Sequence, residues 1–475
     1  MTDNNKTSEA KTYRDSVATV AEDGKRIWVF PRKPKGKFTN YRNYTAYLLL
    51  TLFFIIPFLK WDGNPLFLFN VIDREFFLFG QAFYVQDFFI LGIGAVTSVI
   101  FVMVFTIVYG RLFCGWLCPQ TLFMEMVFRK IEYWIEGDRN KQIKLDKQEW
   151  NSEKIIKRVF KWTVFLVMSN LISTFMFIYI AGYAKVWDMM TAGPSEYPTN
   201  FLVMILFTGI FYFVFAWLRE QVCTLICPYG RLQGVLIDKQ TINVLYDFKR
   251  GENRSKWRNG EDRDASGKGD CIDCKQCVVV CPTGIDIRDG QQLECINCTA
   301  CIDACDDVME KVGLPKGLIR YASEQEIETQ TKFKFTARMK ATAAALALLV
   351  GLLSFSLNDR GMMEAKFLKY PGSTFLIRDE MISNAYTFTM INKSNQDLYV
   401  HFKVLNSKSA KIEMYEKQPL HLKRNKIKKG DLKVNFPENE IQLSKQNIEI
   451  GVFDTSGKMI TSYKTIFEGP FKFEF

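Results

Sequence analysis

The sequence predicts a multi-domain membrane protein, with an α-helical transmembrane bundle of about five spans, an inserted cysteine-rich domain and a C-terminal all-β sandwich. Three observations carry this expectation. Apolar runs recur through the first half and again near residue 350, cysteines crowd between Cys271 and Cys305, and beyond Asn358 short runs of alternating polarity take over. A chain of 475 residues, 48% of them hydrophobic, has room for several such units.

Residues 1–43 are polar and basic and contain WVFPRKPKGKF. They hold no apolar core before a small-residue cleavage site, so a cytoplasmic segment is expected rather than a secretory leader. Four apolar runs follow within residues 44–240, at Tyr44–Leu59, Phe88–Tyr109, Phe160–Tyr183 and Phe201–Leu218, and a fifth lies in 339–357. The first is at the short end of the ~17–25 residues a tilted helix needs. Lysines and arginines crowd the N-terminal segment, the 111–161 connection and the stretch before Met339, whereas connections 60–87 and 184–200 carry few. The positive-inside rule then puts the N-terminus and residues 241–338 inside and 358–475 outside. All 12 cysteines fall on the inner, reducing side.

The formal charge of +11 is concentrated beside the apolar runs, so membrane topology explains it better than a nucleic-acid partner. The 2 histidines, His401 and His421, lie outside every apolar run, which argues against haem held by histidine within the bilayer.

Residues 271–305 read CIDCKQCVVVCPTGIDIRDG and, after a short turn, CINCTACIDACD. Each half is Cys-x2-Cys-x2-Cys-x3-Cys, the spacing at which three thiolates hold one iron–sulfur cube and the distant fourth completes the other. That rule gives the first 4Fe-4S cluster Cys271, Cys274, Cys277 and Cys305, and the second Cys295, Cys298, Cys301 and Cys281. Structural zinc fits badly, because its four-ligand sites would leave half of these thiols unexplained. The usual proline follows Cys281 as Pro282, but Asp306 follows Cys305; a carboxylate there should lower the potential of the neighbouring cluster.

The remaining cysteines form an internal repeat. GRLFCGWLCPQ follows the second apolar run and REQVCTLICPYG the fourth, each giving Cys-x3-Cys-Pro as the chain reaches the inner surface. Proline disfavours helix in the residue before it and suits the first position of a new one. Cys118 and Cys227 are therefore expected at helix N-termini, where the dipole favours thiolate, with Arg111, Arg219 and Arg231 adding positive charge. Buried inert cysteines are the plain alternative. Cys114, Cys118, Cys223 and Cys227 are instead read as a candidate copper or redox site, open to cuprous ion or to a third iron–sulfur cluster.

After a linker containing GLPKGLIRY and the last apolar run, AYTFTMIN, DLYVHFKVL, LKVNF, NIEIGVFD and KMITSYKTIF predict an antiparallel sandwich. His401 and His421 lack a spaced third ligand and read as surface residues.

WVFPRKPKGKF, GRLFCGWLCPQTLF, CPYGRLQGVLIDKQTINVLYDFKRGE, LECINCTACIDACDDVM and PKGLIRY together resemble the FixG/CcoG-type cytochrome c oxidase accessory proteins, polyferredoxins of bacterial inner membranes. The resemblance covers nearly the whole chain. It implies a role in building a cbb-type haem–copper oxidase by reducing cupric to cuprous ion, with oxidase subunits or copper-delivery proteins as partners and an immunoglobulin-like C-terminal domain. A quinol-linked electron conduit and a non-enzymatic assembly scaffold are the alternatives. No flavin or nicotinamide fingerprint appears, so electrons have to come from a separate cytosolic donor.

Overall fold

The computed structural model describes residues 18–470 except 22, 71–74, 85, 86, 259, 260, 264, 332, 379, 415, 417 and 442. The first part of the expected N-terminal segment therefore lies outside the described residues. The chain forms two compact units, one of residues 1–58 and 91–352 and one of 59–90 and 353–475.

Among the described residues, four helices are long and apolar enough to cross a membrane: Phe88–Tyr109, Ser152–Ala181, Pro198–Leu218 and Ala337–Asn358. Their apolar side chains stay largely uncovered by protein, Phe89 and Leu348 being 72% and 75% exposed, as lipid-facing surfaces are. The expected first span falls on helix Lys37–Ile55 and the 3-10 turn Ile56–Phe58. It fails the same test because its first half, KFTNYRN, is polar.

In the first unit, helices Ser152–Ala181 and Pro198–Leu218 are joined by Ser173 Oγ and Thr208 Oγ1 at 2.6 Å, a polar link between apolar surfaces. Phe128 stacks on Phe215 at 4.6 Å and meets Phe165 edge-on, fixing the helix that follows the first Cys-x3-Cys-Pro motif against the spans Pro198–Leu218 and Ser152–Ala181. Strand Asn243–Tyr246 pairs antiparallel with Ile319–Ala322 and brackets the cysteine-rich insert. Helix Lys37–Ile55 starts on that insert: the Asp303 carboxylate accepts from Phe38 N at 3.0 Å, Thr39 N at 2.7 Å and Thr39 Oγ1 at 2.6 Å. A carboxylate at this end satisfies free N–H groups and complements the dipole. Gly36, at φ 147°, makes the approach possible, since a Cβ there would lie 2.3 Å from Asp303.

The second unit is an antiparallel sandwich. One sheet carries Lys411–Met414, Ile427–Pro437, Met381–Asn392 and Met363–Lys369 in that order, with Leu376–Arg378 also on Met381–Asn392. The other carries Leu420–Leu422, Leu398–Val404, Lys445–Asp454 and Met459–Glu468. Burial alternates along Met381–Asn392, and Phe367, Tyr386, Phe402, Val434 and Ile450 fill the interior. The connection after residue 59 is more than a loop: Phe67–Asn70, Glu75–Leu78 and Gln81–Phe83 form a small sheet of this same unit. Asp87 fixes it through Arg360 at 2.8 Å and Lys393 at 2.5 Å. His421 pairs with Asp397 at 2.9 Å and stacks on Tyr399.

Candidate metal centres

The backbone of the cysteine-rich insert repeats its geometry. Asp273 and Lys275 flank Cys274 with positive φ, and Asn297 and Thr299 flank Cys298 in the same way. Lys275 and Thr299 then cap helices Gln276–Val279 and Ala300–Lys311. Left-handed residues beside right-handed ones turn consecutive N–H groups into a concavity suited to an anionic centre.

Cys271, Cys274, Cys277 and Cys305 line one cavity with Tyr246, Met309 and Ile319. Cys281, Cys295, Cys298 and Cys301 line a second with Val244, Ile285 and Ile287, and Cys277 borders it too. Helix Ala300–Lys311 thus brings Cys305 back to the first triplet, while Cys281 joins the second. Burial pushes the Cys277 and Cys295 thiols up to about 12 and Cys298 to about 11, so ionisation needs a cation at the sulfur. The linings offer soft thiols among mostly apolar side chains, with Lys275 and Arg288 at the first and Thr283 and Thr299 at the second and no carboxylate or imidazole at either, a donor set that fits anionic 4Fe-4S groups.

Cys114, Cys118, Cys223 and Cys227 are also brought together. Pro119 and Pro228 begin helices, and Cys118 and Cys227 precede them in extended backbone, at ψ 125° and 114°. The two motifs interlock: Arg111 Nε donates to Gln233 Oε1 at 2.5 Å and Arg111 Nη2 to the Gly230 carbonyl at 3.1 Å. Gln233 in turn meets Cys114 Sγ at 3.5 Å, and Thr121 Oγ1 lies 3.9 Å from Cys223 Sγ. Gly230 permits this approach, because a Cβ there would stand 2.6 Å from Arg111 Nη2 as well as 2.7 Å from the Cys223 carbonyl oxygen of its own motif. Burial raises the Cys114 thiol and pushes Cys223 up to about 12, and the neighbouring thiols add to both shifts. Of the three arginines expected to supply charge, Arg111 does so toward Cys114, Arg231 reaches back toward the Leu225 carbonyl, and Arg219 turns elsewhere.

This thiol loop rests on the second cavity. Cys114, Val280, Ile296 and Cys298 share one buried cluster, and Trp116 Nε1 donates to the Asn297 carbonyl at 3.3 Å. A Cβ on Gly115 would lie 2.3 Å from the Ile296 carbonyl oxygen, so only glycine lets the backbones meet.

Family comparisons match the same parts of the chain. A 4Fe-4S dicluster domain covers residues 218–324, a 4Fe-4S binding domain covers 91–142, and an immunoglobulin-like fold found at the C-terminus of FixG, a putative oxidoreductase, covers 353–470. Protein RdxA of Cereibacter sphaeroides is 34% identical over 387 residues, 78% of this chain and 81% of its own length. The nitrogen fixation protein FixG of Rhizobium meliloti is 36% identical over 306 residues, 63% of this chain and 58% of FixG. The chain belongs to the FixG/RdxA family. It is an iron–sulfur electron-transfer protein of the membrane, with 4Fe-4S binding domains and an immunoglobulin-like C-terminal domain. A solved FixG-related protein from Vibrio parahaemolyticus aligns at 15% identity and TM-score 0.19 over 23% of this chain and 97% of its own, too little to bear on the fold.

Sequence reasoning about this FixG-family chain missed a buried ion network beside the thiol motifs. Arg219 grips Glu132 with both Nη atoms, one at 2.8 Å, and Lys161 joins Glu132 at 3.5 Å and Glu136 at 2.9 Å. Arg129 links Glu125 at 2.8 Å to Glu220 at 3.7 Å. Burial opposes ionisation of Glu132, yet Arg219 and Lys161 hold its carboxyl at about 2. Beside this network Trp28, Trp150, Trp162, Trp217, Lys161 and Arg219 line a cavity of about 560 Å³. The available signal was a set of charged residues set among apolar ones, Glu125, Arg129, Glu132 and Glu136 in PQTLFMEMVFRKIEYWIE, Lys161 at the start of one apolar run and Arg219 at the end of another, where they are costly unless paired.

Proposed function

We propose that this chain takes single electrons from a cytosolic donor and delivers them to cupric ion, supplying cuprous ion for assembly of a cbb-type cytochrome c oxidase. The observation that carries the proposal is the seating of Gly115 on Ile296, which packs the Cys-x3-Cys-Pro loop directly against the second thiol quartet. Cys271, Cys274, Cys277 and Cys305 would hold one 4Fe-4S group and Cys281, Cys295, Cys298 and Cys301 the other, each supplying a one-electron store. Cys274 is exposed and marks where a low-potential one-electron donor docks. Cys277 borders both cavities, and Cys298 touches the buried cluster that contains Cys114. Cys114, Cys118, Cys223 and Cys227 form the terminal redox site, where each cupric ion takes one electron and leaves as cuprous ion. Soft thiolates favour that product.

The orientation that suits this is an inner-membrane protein with the ferredoxin part in the cytoplasm and residues 358–475 in the periplasm. Lysine and arginine bias and the need of cluster thiols for a reducing compartment support it. Connectivity supports it as well. Helix Lys37–Ile55 starts at Asp303 and delivers the chain to residues 59–90, and span Phe88–Tyr109 returns it to the thiol loop. If the second of these crosses, so does the first, giving five crossings. The product would pass to copper-delivery proteins or oxidase subunits.

The test is anaerobic mixing of the dithionite-reduced, desalted full-length protein with cupric ion and a cuprous-specific chelator. One cuprous ion per stored electron is expected, with the rate at least about tenfold lower for Cys295→Ser. Turnover equal to wild type in that variant would remove the second quartet from the route.

One observation favours a second reading, a quinol-linked conduit: the tryptophan-rich cavity beside Arg219 opens among residues that adjoin the spans and has room for a quinol headgroup. Cluster bleaching by a water-soluble quinol, with no cytosolic protein present, would select it over a soluble donor.

A further inference from the structure

We infer that Arg42, on helix Lys37–Ile55, is a positioning residue for electron flow: its buried cation makes the iron–sulfur centre of the second thiol quartet easier to reduce than that of the first, so that electrons entering at Cys274 run downhill towards the Cys-x3-Cys-Pro loop. This rests on the electron-transfer reading above and adds to it the direction of transfer.

Geometry puts the cation beside the second quartet. Asp303 accepts from Phe38 N and Thr39 N, which fixes the start of the helix on the segment between Cys301 and Cys305. Arg42 follows Thr39 by three residues and so shares its helix face. It is 6% exposed and donates from Nε to the Gly115 carbonyl at 2.8 Å. Gly115 is the residue that seats on Ile296 and Asn297, where a Cβ would stand 2.3 Å from the Ile296 carbonyl oxygen and 3.1 Å from that of Asn297. Ile296 and Cys298 line the second cavity, so the guanidinium lies just behind its wall. In keeping with this, burial raises the Cys298 thiol, and among the charges that act on it Arg42 is the strongest.

The two quartets differ in how their cations are compensated. Arg288 lines the first cavity, but Asp273 and Asp286 each hold its guanidinium at 2.6 Å, and Asp306 follows Cys305. Lys275 there is exposed and screened by water. At the second, Arg42 gives its Nε proton to a carbonyl, and Arg111, 4% exposed, donates to the Gln233 amide oxygen and the Gly230 carbonyl, all neutral acceptors. Glu125 opposes Arg42 at Cys298 but is itself paired with Arg129 at 2.8 Å. Reduction by one electron adds a negative charge with no bond made and no proton moved, and a buried cation nearby stabilises that charge. The electron that leaves the first centre, oxidising it, therefore settles on the second, beside the loop of Cys114.

The experiment is a redox titration of the full-length protein in detergent, reconstituted anaerobically with iron and sulfide and followed by electron paramagnetic resonance. In the wild type, the signal lost in Cys295→Ser should appear at higher potential than the signal lost in Cys271→Ser. Arg42→Gln should lower the reduced-to-oxidised ratio of the Cys295-dependent signal about tenfold at a fixed potential, about 60 mV on a one-electron couple, while the Cys271-dependent signal moves less than about twofold. Arg42→Lys keeps the charge and should stay within about threefold of the wild type. Iron content equal to wild type shows that the variants are folded, and the order of the two wild-type signals needs no variant. The reverse order, an unmoved Cys295-dependent signal or an equal shift of both signals in Arg42→Gln, or Arg42→Lys falling as far as Arg42→Gln overturns the inference. The expected order and shift with no cuprous product overturns the copper reading alone, and cuprous product with the reverse order overturns this inference alone.

Discussion

The chain gathers thiols in two ways. The ferredoxin quartets come from one continuous stretch, Cys271–Cys305, shaped by a backbone pattern that repeats residue for residue around Cys274 and Cys298. The Cys-x3-Cys-Pro quartet comes from two hairpins about a hundred residues apart, tied to each other by Arg111 with Gly230 and Gln233 and by Thr121 with Cys223. The first kind of site is specified locally. The second inherits its geometry from tertiary packing and pays a larger loop-closure cost. Changes away from any cysteine should therefore damage the terminal quartet while sparing the ferredoxin quartets.

The largest such effect is expected at Arg219, whose guanidinium holds the turn before Cys223 to Glu132. Arg219→Met leaves the buried Glu132 carboxylate with Lys161 at 3.5 Å and the weaker influence of Arg129, and breaking a buried pair in this way costs about 3–5 kcal/mol. The loss should appear as a lower thermal midpoint in detergent and faster alkylation of Cys223, with both ferredoxin spectra kept. The same pair predicts a pH dependence. Because the folded Glu132 carboxyl sits at about 2, below its ordinary value, its contribution is complete above about pH 4.5 and drains away as pH falls toward 2. Arg219→Met should flatten that acid limb; an unchanged limb would mean that other carboxylates set it.

Gly115 comes next. Gly115→Val drives a side chain into the Ile296 carbonyl, where a Cβ alone would stand at 2.3 Å, and overpacking of this kind costs about 1–3 kcal/mol. The expected readout is cupric reduction slowed at least about tenfold at unchanged ferredoxin iron. Wild-type turnover in this variant would show that electrons leave the second quartet by another contact.

The same contrast explains what could be read in advance. The spacing of Cys271–Cys305 exposes the iron–sulfur chemistry because both the ligands and the turns between them are local. Pro119 and Pro228 announce their helices for the same reason, and alternation along Met381–Asn392 announces a half-buried strand. Arg219 was expected to face the thiols and faces Glu132 instead, because its choice of partner depends on a helix some ninety residues away. The polar first half of Lys37–Ile55 hides where that helix starts, ahead of the apolar run expected from Tyr44, because its N-terminus is anchored by Asp303, a residue of the ferredoxin part. Likewise the small sheet within residues 59–90 is fixed by distant partners, Lys426 at Glu75 and Arg360 and Lys393 at the neighbouring Asp87, which its own sequence does not reveal.

The smallest effect concerns which cluster owns Cys305. Asp306 directly follows Cys305, accepts from Gly317 N at 2.9 Å, and its charge adds to the burial and the neighbouring thiols that raise the Cys305 thiol. Asp306→Asn keeps the shape and an acceptor for Gly317 but removes a negative charge, so the nearby cluster should become easier to reduce. An interaction of ~1 kcal/mol corresponds to about 40 mV on a one-electron couple, observable in a redox titration followed by electron paramagnetic resonance. Cys305 lines the cavity of Cys271, Cys274 and Cys277, so the signal that moves should be the one lost in Cys271→Ser. If instead the signal lost in Cys295→Ser moves, Cys305 serves its own triplet. The cross-over of ligands would then be wrong, although the four-thiol character of each site would stand.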